Sequence, residues 1–170
     1  MPQKEQDQDL TSMPLNASIA RFQRYARGRI KHLPKRQILT VVGSGFVALH
    51  TSLFIGLMAA CISIIGEVID CVCLKRQLIA LKNGQRFSLL SARASISAGI
   101  QAVCTAICIL MAEALPDAGV GIYFALVFLM SAAMNAGLVL PYHKPSAYAR
   151  LSVYFITFLV ILLQQYFLLI

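Results

Sequence analysis

The sequence predicts an all-α fold, a polytopic integral membrane bundle with four transmembrane helices. Three observations carry that prediction. The first is composition: 58% of the 170 residues are hydrophobic and 13% are charged, with a mean hydropathy of +0.72. Soluble domains run at roughly 45–50% and about 25%. A domain this size leaves about a third of its unfolded surface exposed, so one small core cannot hide the excess. The second is the recurrence of apolar runs of about 20 residues, the length that crosses about 30 Å of hydrocarbon. The third is the short polar turns between them, Pro116-Asp117-Ala118-Gly119 and Pro141-Tyr142-His143-Lys144-Pro145. Together they argue against a soluble enzyme, a disulfide scaffold and a disordered regulator.

Residues 1–14 are polar and read as a disordered tail. They are not a signal peptide, because no apolar run follows within the first 30 residues. Over residues 15–34, Leu15, Ile19, Phe22, Ala26, Ile30 and Leu33 step by three or four and form one helical stripe. Arg21, Arg24, Arg27 and Lys31 fall opposite it, with Asn16 as N-cap and Pro34 as stop. This basic amphipathic helix is expected to lie on anionic lipid headgroups at the bilayer surface. The plainer reading is a solvated helix docked on its own protein. Groove-reading polar residues are missing, so nucleic acid is not an expected partner.

Residues 38–170 form the transmembrane bundle, and its first segment is ambiguous. Residues 38–74 as one helix would make a rod of about 55 Å, longer than a span needs. Residues 91–114, 120–140 and 151–170 supply the other three spans. Lys and Arg number 8 up to Arg36, 5 in residues 75–93 and 2 at Lys144 and Arg150. With four spans those charges divide almost evenly across the membrane. If 38–74 is instead a hairpin of two short legs, giving five helices, all 15 lie on one side, as the positive-inside rule prefers. Against the hairpin, only Gly56 marks a turn, and weakly. Four spans is the primary expectation.

Small residues recur at every fourth position: Ser44, Ala48, Ser52, Gly56 and Ala60 in the first segment, Ala94, Ala98, Ala102 and Ala106 in the second. Such stripes let membrane helices approach closely, within the chain or against a protein partner or second copy. The last helix is bulky, with Phe155, Phe158, Leu159, Leu162, Leu163 and Phe167. Glu67 and Asp70 share a helix face and are the candidate proton or ion site. Measured from residue 38, however, Glu67 lies about 43 Å along the axis, which makes it interfacial. Asn135, Gln164 and Gln165 read as interhelical hydrogen-bond partners. His50 and His143 sit at different depths, which argues against a shared haem. Cys104 and Cys108 read as small packing residues, and Cys71 and Cys73 lack the second loop pair a disulfide oxidase needs. No catalytic, metal or cofactor set emerges, and P-loop, nucleophile-elbow and kinase motifs are missing.

Arg36-Gln37, then Gly66-Glu67-Val68-Ile69-Asp70-Cys71, Leu74-Lys75-Arg76 and Leu81-Lys82-Asn83-Gly84 give a short-motif resemblance. Over about residues 21–115 the chain resembles the N-terminal membrane region of alphaproteobacterial sensor histidine kinases. In that family a phosphoacceptor helix and an ATP-binding domain follow the membrane region, and neither is found up to Ile170. The resemblance therefore implies an input role and no kinase activity. The expectation is a non-catalytic, multi-pass protein of the bacterial inner membrane acting through helix–helix contacts as a signal-input module. The alternatives are an accessory subunit of a larger complex and a small proton-coupled transporter.

Overall fold

The computed structural model describes residues 3–50, 52–113 and 118–168. Within them the chain folds into six helices: α1 (Gln3–Lys31), α2 (Leu33–His50), α3 (Leu53–Lys82), α4 (Phe87–Glu113), α5 (Ala118–Gly137) and α6 (Lys144–Leu168). No strand occurs among the described residues. Four of these helices, α3 to α6, are long and apolar enough to cross a membrane. The protein is a polytopic all-α membrane bundle.

The 38–74 segment is not one helix. It breaks after His50 and restarts at Leu53, so the four spans stand with the first beginning at Leu53, and α2 packs back on it as an additional leg. The local cause is Ser52, whose extended backbone (φ −152°, ψ 153°) and Oγ, accepting from the Ile55 N–H at 3.3 Å, cap α3. The tertiary cause is the close seam between the legs. A Cβ on Gly56 would stand 2.4 Å from Ala48 Cβ and 2.8 Å from the Ser44 carbonyl oxygen, so only glycine admits this crossing. The period-four stripe of Ser44, Ala48, Ser52, Gly56 and Ala60 is therefore not one face of one helix. Its halves face each other across the hairpin, with Ser52 as the cap between them. Lys35 and Arg36 in its first turns leave α2 a shorter, less apolar leg.

Other boundaries also have local causes. Pro34 cannot donate to the Ile30 carbonyl, and the chain passes from α1 into α2 around it. α3 ends in a Schellman turn: Gly84 (φ +76°) donates to Leu81 O at 3.2 Å and Gln85 to Ala80 O at 3.1 Å. α1 begins at Gln3, so helical backbone reaches into residues 1–14, where Gln, Glu and Lys are good helix formers.

α3 and α4 form the most extensive helix pair, with α2 on the outer side of α3 and α6 and α5 on α4. The second small-residue stripe does what its spacing predicts: Ala94, Ala98, Ala102 and Ala106 are all buried. Gly66 lies against Cys104, where a Cβ would come within 2.7 Å of the cysteine Cβ. Cys108 donates its thiol to Ala59 O at 3.2 Å, so both cysteines pack the α3–α4 seam.

The topology gathers α1, the start of α2, the α3–α4 turn and the α5–α6 turn at one end. The Lys and Arg residues of 21–36, 75–93 and 144–150 therefore collect there. At this basic end Phe22, Tyr25 and Ala26 of α1 are buried in one cluster with Leu74, Ala94 and Ala147. The amphipathic stripe is thus occupied by the protein itself, as the plainer reading had it, and is not free to sink into a leaflet. Arg21, Arg24, Arg27 and Lys31 remain exposed on the opposite face.

Candidate functional site

Below the α1 cluster, five charged side chains from four helices meet inside the bundle. Asp70 is fully buried and accepts three hydrogen bonds: from Arg29 Nη2 at 2.9 Å, Arg150 Nη2 at 2.8 Å and Ser97 Oγ at 2.9 Å. Glu67, one turn earlier, accepts from Arg36 Nε at 3.0 Å and Nη2 at 2.7 Å through Oε2. Its Oε1 accepts from Gln101 Nε2 at 3.0 Å and faces Arg29 Nη2 at 3.5 Å. Gln101 closes the ring by accepting from Arg150 Nε at 3.1 Å. Three guanidiniums thus surround two carboxylates, and the hub carries one net positive charge. Arg29 is held protonated: burial opposes its charge, and the Glu67 and Asp70 carboxylates more than offset that, raising its pKa above the usual value.

The hairpin changes the depth of this site. Counted from Leu53, Glu67 is about 21 Å along α3, within the thickness of a hydrocarbon core. Glu67 and Asp70 are buried inside the helix bundle. Ionised groups at such depth are costly and need partners at hydrogen-bonding distance. The arginines of α1, α2 and α6 supply them.

Two cavities flank the hub. An inner one of about 80 Å³ runs between α2 to α6, lined by Thr40, Ser63, Thr105 and Tyr154 as well as by the hub, room for a few waters. An outer one of about 540 Å³ opens at the basic end between α1 and the end of α5. They share Arg29, Arg36 and Asn135 as their partition. On the far side Phe46 stacks on Phe124 at 4.3 Å and Phe124 on Phe128 at 6.0 Å. Beside them remains a void of only about 20 Å³, so the polar interior opens to the basic end and is closed toward the other.

His143 joins α1, α4 and α6 at the rim. Its Nδ1 accepts from the Ser146 N–H at 3.3 Å, which caps α6, and lies 2.7 Å from Ser146 Oγ. That bond assigns the proton to Nε2, which donates to Ser91 Oγ at 2.9 Å. The ring stacks on Tyr25 at 5.4 Å. Burial, with Arg150 adding to it, pushes the pKa down to about 4, so the ring is neutral at physiological pH. Through Ser91, Tyr25 and Ser146 the ring staples α4, α1 and α6 together.

Of the residues expected to carry chemistry, Glu67 and Asp70 are at the centre. Asn135 lines both cavities but donates to Ser131 O of its own helix at 3.0 Å, not across to another. His50 packs on Phe46 at the far end of α2, away from His143. No group of three or more metal-ligating side chains occurs among the described residues. Sequence reasoning missed Arg29, Arg36, Gln101 and Arg150. Each sits on an otherwise apolar or small face: Arg29 three residues after Ala26, Arg36 four before Thr40, Gln101 three after Ala98, and Arg150 three after Ala147 and four before Tyr154. Comparison of the chain with protein-family models, curated proteins and solved structures found no match.

Proposed function

We propose that this chain is a non-catalytic input module of the bacterial inner membrane, whose polar interior takes a ligand from the basic end and conveys its occupancy through helix contacts. The positive-inside rule puts the basic end, and with it α1 and the outer cavity, in the cytoplasm. The observation that carries the reading is the hub itself. A purely structural bundle gains little from five clustered charges of which Glu67, Asp70 and Arg150 are buried, because desolvation cancels most of their attraction. Here Arg29 and Arg36 stand between two cavities, and the hub ties α1, a helix outside the four spans, to α3 and α6. An accessory subunit needs only external faces. A proton-coupled carrier needs a carboxylate with free valence, and every oxygen of Glu67 and Asp70 is engaged by donors.

A ligand that competes for Arg29 or Arg36 loosens α1, which is the two-state element such a module requires. Asp70→Asn mimics that loosening. In native nanodiscs, hydrogen exchange of residues 16–31 is expected to rise at least tenfold in this variant, with residues 94–112 unchanged. Unchanged protection of α1 overturns the input reading. Stoichiometric comigration of the wild type with a large complex replaces it with the accessory-subunit reading.

A further inference from the structure

The outer cavity has a chemistry of its own. One wall is α1 and α2, presenting Arg24, Tyr25, Arg29, His32 and Arg36; Asn135 and Tyr142 stand opposite. No carboxylate lines it. The two carboxylates beneath are already saturated by the hub, so the charge facing the cavity is uncompensated. Two donors there are buried and unsatisfied. Tyr25, only 4% exposed, has no partner for its hydroxyl, and Arg29 Nε has none either. Arg150, 2% exposed, leaves Nη1 unpartnered toward the inner cavity. A buried donor without an acceptor costs about 1–3 kcal/mol, and the two on the wall of the outer cavity, from Tyr25 and Arg29, call for an acceptor there.

We infer that the outer cavity is a binding site for a phosphate group, borne by an anionic lipid headgroup or by a small soluble phosphate ester. The inference rests on the ligand-binding reading above and names its ligand class. Arginine donors from different directions suit a tetrahedral group with several acceptor oxygens. About 540 Å³ holds a headgroup or a small ester and lies within the range of ordinary ligand pockets. The cavity lies at the basic end of the bundle, with the exposed Arg24 on its wall.

The test uses the full chain purified in dodecyl maltoside, with retained mass and thermal shift as readouts. The probes are dioleoylphosphatidylglycerol, dioleoylphosphatidylcholine, glycerol 3-phosphate and inorganic phosphate. Saturable binding of phosphatidylglycerol over phosphatidylcholine assigns the site to a lipid headgroup, and binding of glycerol 3-phosphate or inorganic phosphate assigns it to a soluble ester; either supports the inference. Arg24→Gln and Tyr25→Phe are each expected to weaken binding about tenfold. Tyr25→Phe removes only an unpartnered hydroxyl, so a merely structural tyrosine predicts no loss. Arg76→Gln, an equal change of charge on the exposed face of α3 at the same end, leaves binding unchanged. The inference is overturned if no probe binds, or if Arg76→Gln weakens binding as much as Arg24→Gln. Phosphate binding with α1 still locked in Asp70→Asn keeps the site and removes the input reading; a released α1 with no phosphate binding does the reverse.

Discussion

Asp70 and Arg150 form the most deeply buried pair of the hub, and a double-mutant cycle measures what it is worth. Asp70→Asn keeps the shape but leaves Arg29 and Arg150, whose side chains are 11% and 2% exposed, facing a neutral amide. Breaking a buried pair from one side costs about 3–5 kcal/mol. The amide oxygen still accepts one donor, so the cost falls at about 3 kcal/mol. Arg150→Met costs less, about 2 kcal/mol, because Asp70 retains Arg29 at 2.9 Å and Ser97 at 2.9 Å. In the double variant no unpaired charge is added by the second change. Its cost stays at about 3 kcal/mol, which leaves an interaction of about 2 kcal/mol, within the range for contacting residues. Reversible unfolding in mixed micelles titrated with dodecyl sulfate, followed by circular dichroism, gives the three differences. Additive costs, or an Asp70→Asn cost below about 1 kcal/mol, refute the reasoning that the hub is a coupled network.

Three further outcomes are expected. Gly66→Val places methyls where a Cβ alone would stand 2.7 Å from Cys104 Cβ, and thermal unfolding should show a loss of about 1–3 kcal/mol, whereas Gly99→Ala, with nothing within 4 Å of its new Cβ, should be neutral or slightly stabilising. The His143 pKa of about 4 lies below the ordinary value of 6.5; its contribution is therefore present above pH 6.5 and declines as pH falls toward 4, so stability should fall over that window in the wild type and lose this part of its slope in His143→Gln. In a cysteine-free background, the exposed position Leu53→Cys should react with an impermeant maleimide from the side opposite Asn83→Cys; protection of residue 53 from both sides would restore the single long span.

How far the sequence was readable depended on which interaction set each feature. Helical class and span-forming runs follow from hydropathy, a sum over many residues that no single contact overrides. The Ala94–Ala98–Ala102–Ala106 seam was equally visible, because close helix approach in a membrane needs small residues and tolerates few substitutes. The hairpin was not, because its turn carries none of the usual breakers: a serine cap and a Gly56–Ala48 contact fix it, and the contact exists only once the legs have paired. The charge count had pointed to the hairpin, since it alone put all 15 Lys and Arg residues on one side.

That single break also changes where the carboxylates sit along their helix. Depth was measured from residue 38, which put Glu67 about 43 Å along a helix, outside the hydrocarbon; measured from Leu53 it is about 21 Å. Once the carboxylates are inside, their partners become predictable. An ion buried without a countercharge costs several kcal/mol, so arginines on apolar faces have to be recruited from neighbouring helices. Arg29, Arg36 and Arg150 meet that description, each lying at helical spacing from buried residues and turned inward, while Arg21, Arg24, Arg27 and Lys31 stay exposed. Counting the cations as one basic population hid the distinction. In a membrane chain the informative arginine is the one that breaks an apolar stripe, because burial there demands a partner, and the excess of three such arginines over two carboxylates is what leaves the outer cavity in need of an anion.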